Sequence, residues 1–212
     1  MSFEQNSPAD SVRGFGFADI HQAKIAAENC KSCPLWKRAT QTVFGEGPVP
    51  AQLMLVGEQP GHHEDVSGRP FVGPAGKLLD SALDKAGVDR ASVYVTNAVK
   101  HFKWEPLGKR RLHKRPSARE IEACRPWLLS ELELVKPRLV ICMGATAVTS
   151  LLGKEVRITA NRGKFLESNF APAILVTVHP SAILRAQDDK TRSSEFERFV
   201  EDLREAASFL RA

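Results

Sequence analysis

The chain has 212 residues, 42% hydrophobic and 26% charged, with a formal net charge of +5 at pH 7. That composition excludes a disordered or fibrous chain and suits one globular domain with an ample core. Residues 1–18 lack the apolar stretch of an export signal, and the most apolar run, 139–152, is broken by Thr146, Thr149 and Ser150 and falls short of the ~20 residues that span a bilayer.

The expectation is a flexible tail over 1–18, a single domain over 19–212, no membrane partner, and a cytoplasmic setting, nucleoid-associated if the source is bacterial. A short helix over 20–29 delivers Cys30-Lys-Ser-Cys33 at its end. Four cysteines without an export signal argue against structural disulfides, and a C-x-x-C points to metal, cluster or redox chemistry. It needs two further ligands, for which Cys124, Cys142 and His101 are the candidates. Cys142 lies inside Leu-Val-Ile-Cys-Met, and its better reading is a small core residue.

A rhythm follows. Apolar runs at 53–56, 93–95, 139–143 and 174–178 each end in small or polar residues: Gly57-Glu-Gln, Thr96-Asn97, Gly144-Ala-Thr and His179-Pro-Ser181. Helical periods alternate with them at Pro74–Ala86, from the capping-box pattern Ser117-x-x-Glu120 to about 135, at Ala145–Leu152 and over 194–211. The order predicts a three-layer α/β/α sandwich around a central four-stranded parallel sheet. Its carboxyl edge would gather Glu58, Gln59, Asn97, His179 and Ser181, where such sheets bind ligands. Asn97 also reads as a turn residue, and His179-Pro-Ser181 as a helix start. Phe71, between two prolines, reads as a stacking surface for a planar ligand or as an apolar plug.

The most polar stretch, 97–115, has no apolar period and is punctuated by Pro106 and Gly108. From Lys100 to Arg115 it holds seven Lys/Arg and one acid, Glu105, an excess greater than the net charge of the whole chain. It reads as a long loop that binds phosphates or as a solvated charge run. His101 and His113 inside it favour the first.

GEQPG at 57–61, GRPFVGPAGKLLD at 68–80, VTNAVKHF at 95–102 and VHPSAILR at 178–185 resemble the uracil-DNA glycosylase superfamily. The cysteine arrangement is similar to its iron–sulfur family-four branch. GKRRLHK at 108–114, with Gln59 and His101, is similar to the narrower UdgX group, which crosslinks to uracil-containing DNA. The resemblance runs from about Cys30 to the C-terminus. It implies a DNA-repair enzyme that accepts a flipped uracil, at least from single-stranded DNA. Phe71 would stack on the base, Asn97 read its polar edge, and His179 stabilise the charge developing on the uracil oxygen. Gly57, Asp65 and Ser181 complete the substrate-binding set.

Glu58 and Gln59 would lie on the sugar side of the scissile bond. His113 would attack the sugar, with Glu58 accepting the imidazole proton. Lys109, Arg110, Arg111, Lys114 and Arg115 would hold the DNA phosphates. The resemblance also implies a 4Fe–4S cluster on Cys30, Cys33, His101 and Cys124, with zinc as the alternative. Free uracil is the expected product and a monomer the expected state. A conventional turnover glycosylase and a non-catalytic, metal-stabilised uracil-DNA-binding protein are the competing readings.

Overall fold

A computed structural model describes residues 14–212. Most of the tail expected over 1–18 therefore lies outside the described residues. Its last part packs on the body: the Phe15 ring lies 4.5 Å from Trp127, Phe17 stacks on the same indole at 5.8 Å, and Phe15 N–H donates to Ser130 Oγ at 2.8 Å.

In chain order the elements are α1 (Ile20–Glu28), β1 (Leu53–Gly57), α2 (His62–Ser67), α3 (Pro74–Ala86), β2 (Val93–Asn97), β3 (Trp104–Leu107), β4 (Arg110–His113), α4 (Ala118–Val135), β5 (Leu139–Met143), α5 (Ala145–Leu152), α6 (Ile158–Asn161), β6 (Phe165–Leu166), β7 (Ala173–Thr177), α7 (Pro180–Leu184) and α8 (Asp189–Arg211). The main sheet runs β2-β1-β5-β7-β6. Its first four strands are parallel, and β6 adds a two-residue antiparallel edge to the four strands expected. Every residue of β1, β2, β5 and β7 is buried, which is why these strands read as continuous apolar runs and not as alternation.

Two cores follow from the pleat. Leu53, Leu55, Val93, Val95, Ile141 and Leu175 face α3 and α8. Met54, Val56, Tyr94, Val140, Cys142 and Ile174 face α4 and α5. Cys142 is thus a core residue, and burial pushes its thiol up to about 12. The capping box opening α4 forms as expected: Ser117 N–H donates to Glu120 Oε2 at 2.6 Å, and Glu120 N–H to Ser117 Oγ at 3.4 Å. Helix α8 starts earlier than its apolar period, because Asp188 caps it by accepting from Thr191 N–H at 2.8 Å.

β2 lies on one side of β1 and β5 on the other, so the chain reverses its sheet order between β1 and β5, and the carboxyl ends of β1, β2, β5 and β7 open onto one crevice. The long basic loop expected over 97–115 is instead a β-hairpin for much of its length. Strands β3 and β4 pair antiparallel from Trp104↔His113 to Leu107↔Arg110, across a two-residue turn that begins with Gly108 at φ 58. Both strands are largely exposed, so no burial pattern marks them.

The segment leading into α3 is tightly constrained. Phe71 is buried with φ 56, in the left-handed region, and its carbonyl oxygen sits where a Cβ on Gly76 would fall. Glu64 fixes the same turn, accepting Gly73 N–H at 2.7 Å and Gly61 N–H at 3.0 Å. Gly76→Ala is therefore expected to cost at least the roughly 1–3 kcal/mol of an overpacked core. Urea denaturation followed by circular dichroism checks it; an unchanged midpoint would mean that the first turn of α3 shifts freely.

Candidate active site

The floor of the crevice is Gly57, the last residue of β1. A Cβ there would strike Asn97 Oδ1, come within 2.6 Å of Phe71 Cζ and lie 3.3 Å from His179 Nε2. Only a residue without a side chain lets these three groups surround one space. That space belongs to a cleft of about 250 Å³ reaching out to His62 and His63. Three of the groups expected to handle a base therefore converge: an aromatic ring, an amide and an imidazole. The Phe71 and His179 rings lie 6.1 Å apart.

The protonation of His179 follows from its hydrogen bonds. Ser181 N–H, a group that only donates, reaches His179 Nδ1 at 3.2 Å, so Nδ1 carries the lone pair and Nε2 carries the proton. Burial, with the Arg185 charge and His113 beside it, pulls the imidazole down to about 4. At neutral pH it is an uncharged donor aimed over Gly57. Ser181 acts from behind, its Oγ also 2.8 Å from Nδ1. His179 is also the N-cap of α7, so the helix start expected at 179–181 is present.

Glu58, Gln59 and His113 meet on the other side of the crevice. Gln59 is nearly buried, and its amide orientation is set by the backbone: Lys103 N–H donates to Oε1 at 3.1 Å, and Nε2–H donates to Lys114 O at 3.0 Å. The same Nε2 group lies 2.9 Å from His113 Nε2 and donates to it. His113 Nε2 therefore presents a lone pair, and its proton sits on Nδ1. Glu58 Oε1 stands 3.5 Å from His113 Nε2, while Glu58 Oε2 accepts from Thr146 Oγ1 at 2.9 Å. In this tautomer the proton lies on the nitrogen away from Glu58. Burial lowers the His113 pKa from its ordinary 6.5, Glu58 pulls it back up, and Arg185 lowers it again. A second cleft of about 580 Å³ continues from His113 past Arg115 and Arg185 to Ile158.

Two of the residues expected to touch DNA are occupied otherwise. Asp65 is fully buried and accepts from Thr40 N–H at 2.9 Å, Thr40 Oγ1 at 2.6 Å and Arg111 Nη1 at 2.5 Å. Arg111 also lies over the Trp104 ring at 5.1 Å, and Trp104 Nε1–H donates to Arg38 O at 2.9 Å. Asp65 and Arg111 thus fasten the hairpin to the body. Lys114 pairs with Glu105 at 2.9 Å, in the open. Lys109, Arg110 and Arg115 are exposed, with no ion-pair partner among the described residues.

Cys30, Cys33 and Cys124 gather in a small apolar cluster with Trp127 and Ile121. Each of the two buried sulfurs receives an N–H: Trp127 Nε1 donates to Cys30 Sγ at 3.1 Å, and Lys100 N to Cys124 Sγ at 3.2 Å. Burial, reinforced by Cys30 and Cys33, pushes the Cys124 thiol up to about 12, so only a bound cation would hold it as thiolate. His101 is bonded through Nε2 to Thr42 Oγ1 at 2.9 Å; that hydroxyl spends its own proton on Ala27 O, so it accepts and His101 Nδ1 keeps a lone pair. Among the described residues no three such side chains converge enough to enclose a metal ion. The donor types nonetheless suit a thiolate-bound iron or zinc group, with N–H groups already directed at the sulfurs.

Two site residues have no place in the sequence reading. Thr146, buried at the start of α5, orients Glu58; Arg185, after α7, lines both clefts and depresses both histidines. The only trace of either was position, Thr146 in a strand-end triplet and Arg185 closing the VHPSAILR stretch.

The chain is similar to several known proteins. A type-4 uracil-DNA glycosylase of Thermotoga maritima is 38% identical over 186 residues, which cover 87% of this chain and 91% of the relative. One of Pyrobaculum aerophilum is 38% identical over 174 residues (79% and 85%), and one of Archaeoglobus fulgidus 34% identical over 181 (82% and 87%). The family model of the uracil DNA glycosylase superfamily matches residues 44–204, nearly the whole α/β/α body and every group around the crevice, and the chain belongs to that superfamily.

Proposed function

We propose that this chain excises uracil from DNA and captures the emptied sugar on His113, remaining covalently attached. The observation that carries the reading is the lone pair of His113 Nε2, held by the Gln59 amide beside the Glu58 carboxylate. A uridine flipped into the cleft would stack on Phe71, with its polar edge toward Asn97. The C1′–N1 bond breaks, its electron pair leaves with uracil, and His179 Nε2–H donates to the oxygen on which the charge gathers. Glu58, kept in place by Thr146, faces the cationic sugar carbon. His113 Nε2 lets go of the Gln59 N–H and gives its lone pair to C1′, and the resulting imidazolium sheds the Nδ1 proton to solvent.

A 4Fe–4S cluster on Cys30, Cys33, Cys124 and His101, or a zinc ion in its place, belongs to the same reading. When bound it would crosslink the segment after α1, the segment after β2 and α4. Single-stranded uracil-containing DNA is the partner, free uracil the product, and a cytoplasmic monomer the working form. A turnover glycosylase, with water in place of His113, is the second reading, favoured by the identity to type-4 enzymes across most of the chain.

On denaturing gels, a labelled uracil-containing single strand is expected to shift by the mass of the protein, resisting heat and SDS. His113→Ala should abolish the shift while uracil release continues and alkali cuts the strand. A shift that persists in His113→Ala would assign the nucleophile to another residue.

The pH course follows from the histidines. Because the His113 pKa is lowered from its ordinary value, Nε2 is already unprotonated at neutral pH. Adduct formation should be flat from about pH 8 to 7 and decline on the acid side of the ordinary imidazole range as Nε2 takes a proton. Rapid-quench rates in matched ionic strength check this; a rate that falls already above pH 7 would contradict it.

Salt dependence separates the free cations from the fastened one. Each phosphate contact on a single strand contributes a slope of about −0.7 in log K against log salt. Lys109→Ala with Arg110→Ala should flatten the slope by about 1.4, whereas Arg111→Ala should leave it nearly unchanged and lower stability. Fluorescence anisotropy with a uracil-free strand would read it, and a steep loss of slope in Arg111→Ala alone would reverse the assignment.

A further inference from the structure

Lys100 and Glu131 are fully buried and form an ion pair with each other. A buried pair of this kind is weak evidence for stability, since apolar residues of similar volume often serve as well or better. Its connections point elsewhere. The Lys100 ammonium has three donors, and they go to Glu131 Oε2, to Thr96 Oγ1 at 2.7 Å and to Asn97 O at 2.8 Å. Glu131 Oε1 in turn accepts Gly45 N–H at 2.9 Å, Tyr94 OH at 3.1 Å and Thr96 Oγ1 at 2.9 Å.

The pleat explains the target. Tyr94 faces the α4 side of the sheet and Val95 the α3 side, so Thr96 reaches Glu131 on α4 while Asn97 reaches across to Phe71. β2 is the edge strand, and Lys100 supplies its last carbonyl, Asn97 O, with a hydrogen bond. Holding the Thr96 side chain and the Asn97 carbonyl fixes two rigid peptide planes, and with them the direction of the Asn97 Cα–Cβ bond. Helix α4 grips Lys100 twice, through Glu131 and, two turns earlier, through Cys124 Sγ on the Lys100 N–H. We infer that Lys100 and Glu131 are positioning residues whose buried network aims the Asn97 amide at the base. The inference rests on the proposed reading of uracil by Asn97.

The experiment compares Lys100→Met/Glu131→Gln, which keeps both sizes and removes both charges, with Thr96→Val and Asn97→Ala. Release of uracil and of cytosine from single-stranded oligonucleotides is followed at saturating protein, DNA affinity by anisotropy, and folding by thermal melts. Scoring released base makes the outcome independent of whether His113 or water takes the sugar. The double variant is expected to slow uracil release about tenfold or more, as misplaced groups do, and to narrow the preference for uracil over cytosine, with DNA affinity unchanged. Thr96→Val, which leaves the ion pair intact, should do the same more weakly and decides the matter if the double variant does not fold. Asn97→Ala slow, with both network variants at the parent rate, would overturn the inference alone. Asn97→Ala at the parent rate would overturn the base-reading role and the inference with it.

Discussion

The side-chain amide of Gln59 joins two parts of the molecule that share no sheet. It stands at the end of β1, the strand on which the four-stranded core is centred, and it grips both edges of the β3–β4 hairpin through Lys103 and Lys114. The hydrogen bond to His113 follows from that grip, because the amide can point only one way once Lys103 N–H has taken its oxygen. Orientation of an imidazole on a surface hairpin is thereby set by a buried side chain two residues past the end of β1.

The electrostatics of the crevice are arranged around neutrality. Two histidines face each other across it, and both are held below the ordinary imidazole range, chiefly by burial and secondarily by Arg185. A protonated His179 would bind uracilate more strongly but would also repel the cationic sugar; a neutral donor stabilises the leaving oxygen without that penalty. A protonated His113 would have no lone pair at all. Arg185 acts in the same direction as burial, its charge further disfavouring the protonated form of both rings. Glu58 is the carboxylate that balances this group, and Thr146 prevents it from turning away.

What the sequence disclosed and what it concealed divide along burial. The strands and long helices were legible because each buries a run or a face, and hydrophobic runs record burial directly. The hairpin was not: Glu105, Pro106, Leu107 and Arg110 are exposed, so nothing in their polarity distinguishes a paired strand from a loop. The charge run misled in the same way. Lys100 looked like one more cation on a basic loop and is fully buried; Arg111 looked free and is bound to Asp65, 46 positions earlier. Charge is visible in a sequence, but its partner is not. Asn97, Phe71 and His179 were assigned together through the resemblance, yet the reason they can share one space, the missing side chain of Gly57, emerged only from the packing.

The Asp65–Arg111 pair bears on which of the two proposed reactions is favoured. A sugar cation in the crevice is open to whichever nucleophile is aligned when the base departs. Water must be recruited and oriented, whereas His113 is already placed: its hairpin is fastened at Arg111 by a buried carboxylate, at Trp104 by a backbone carbonyl, and at the His113 ring by Gln59. Groups held in line in this way react as if present at effective concentrations on the order of 10⁵ M or more. A hairpin tethered only through its ends would forfeit most of that advantage, and water would compete. Three separate fastenings on ten residues, each using a buried or backbone partner, are more than phosphate binding requires, since a phosphate clamp works as well when it is mobile. They suit the proposed capture of a short-lived carbon centre by His113.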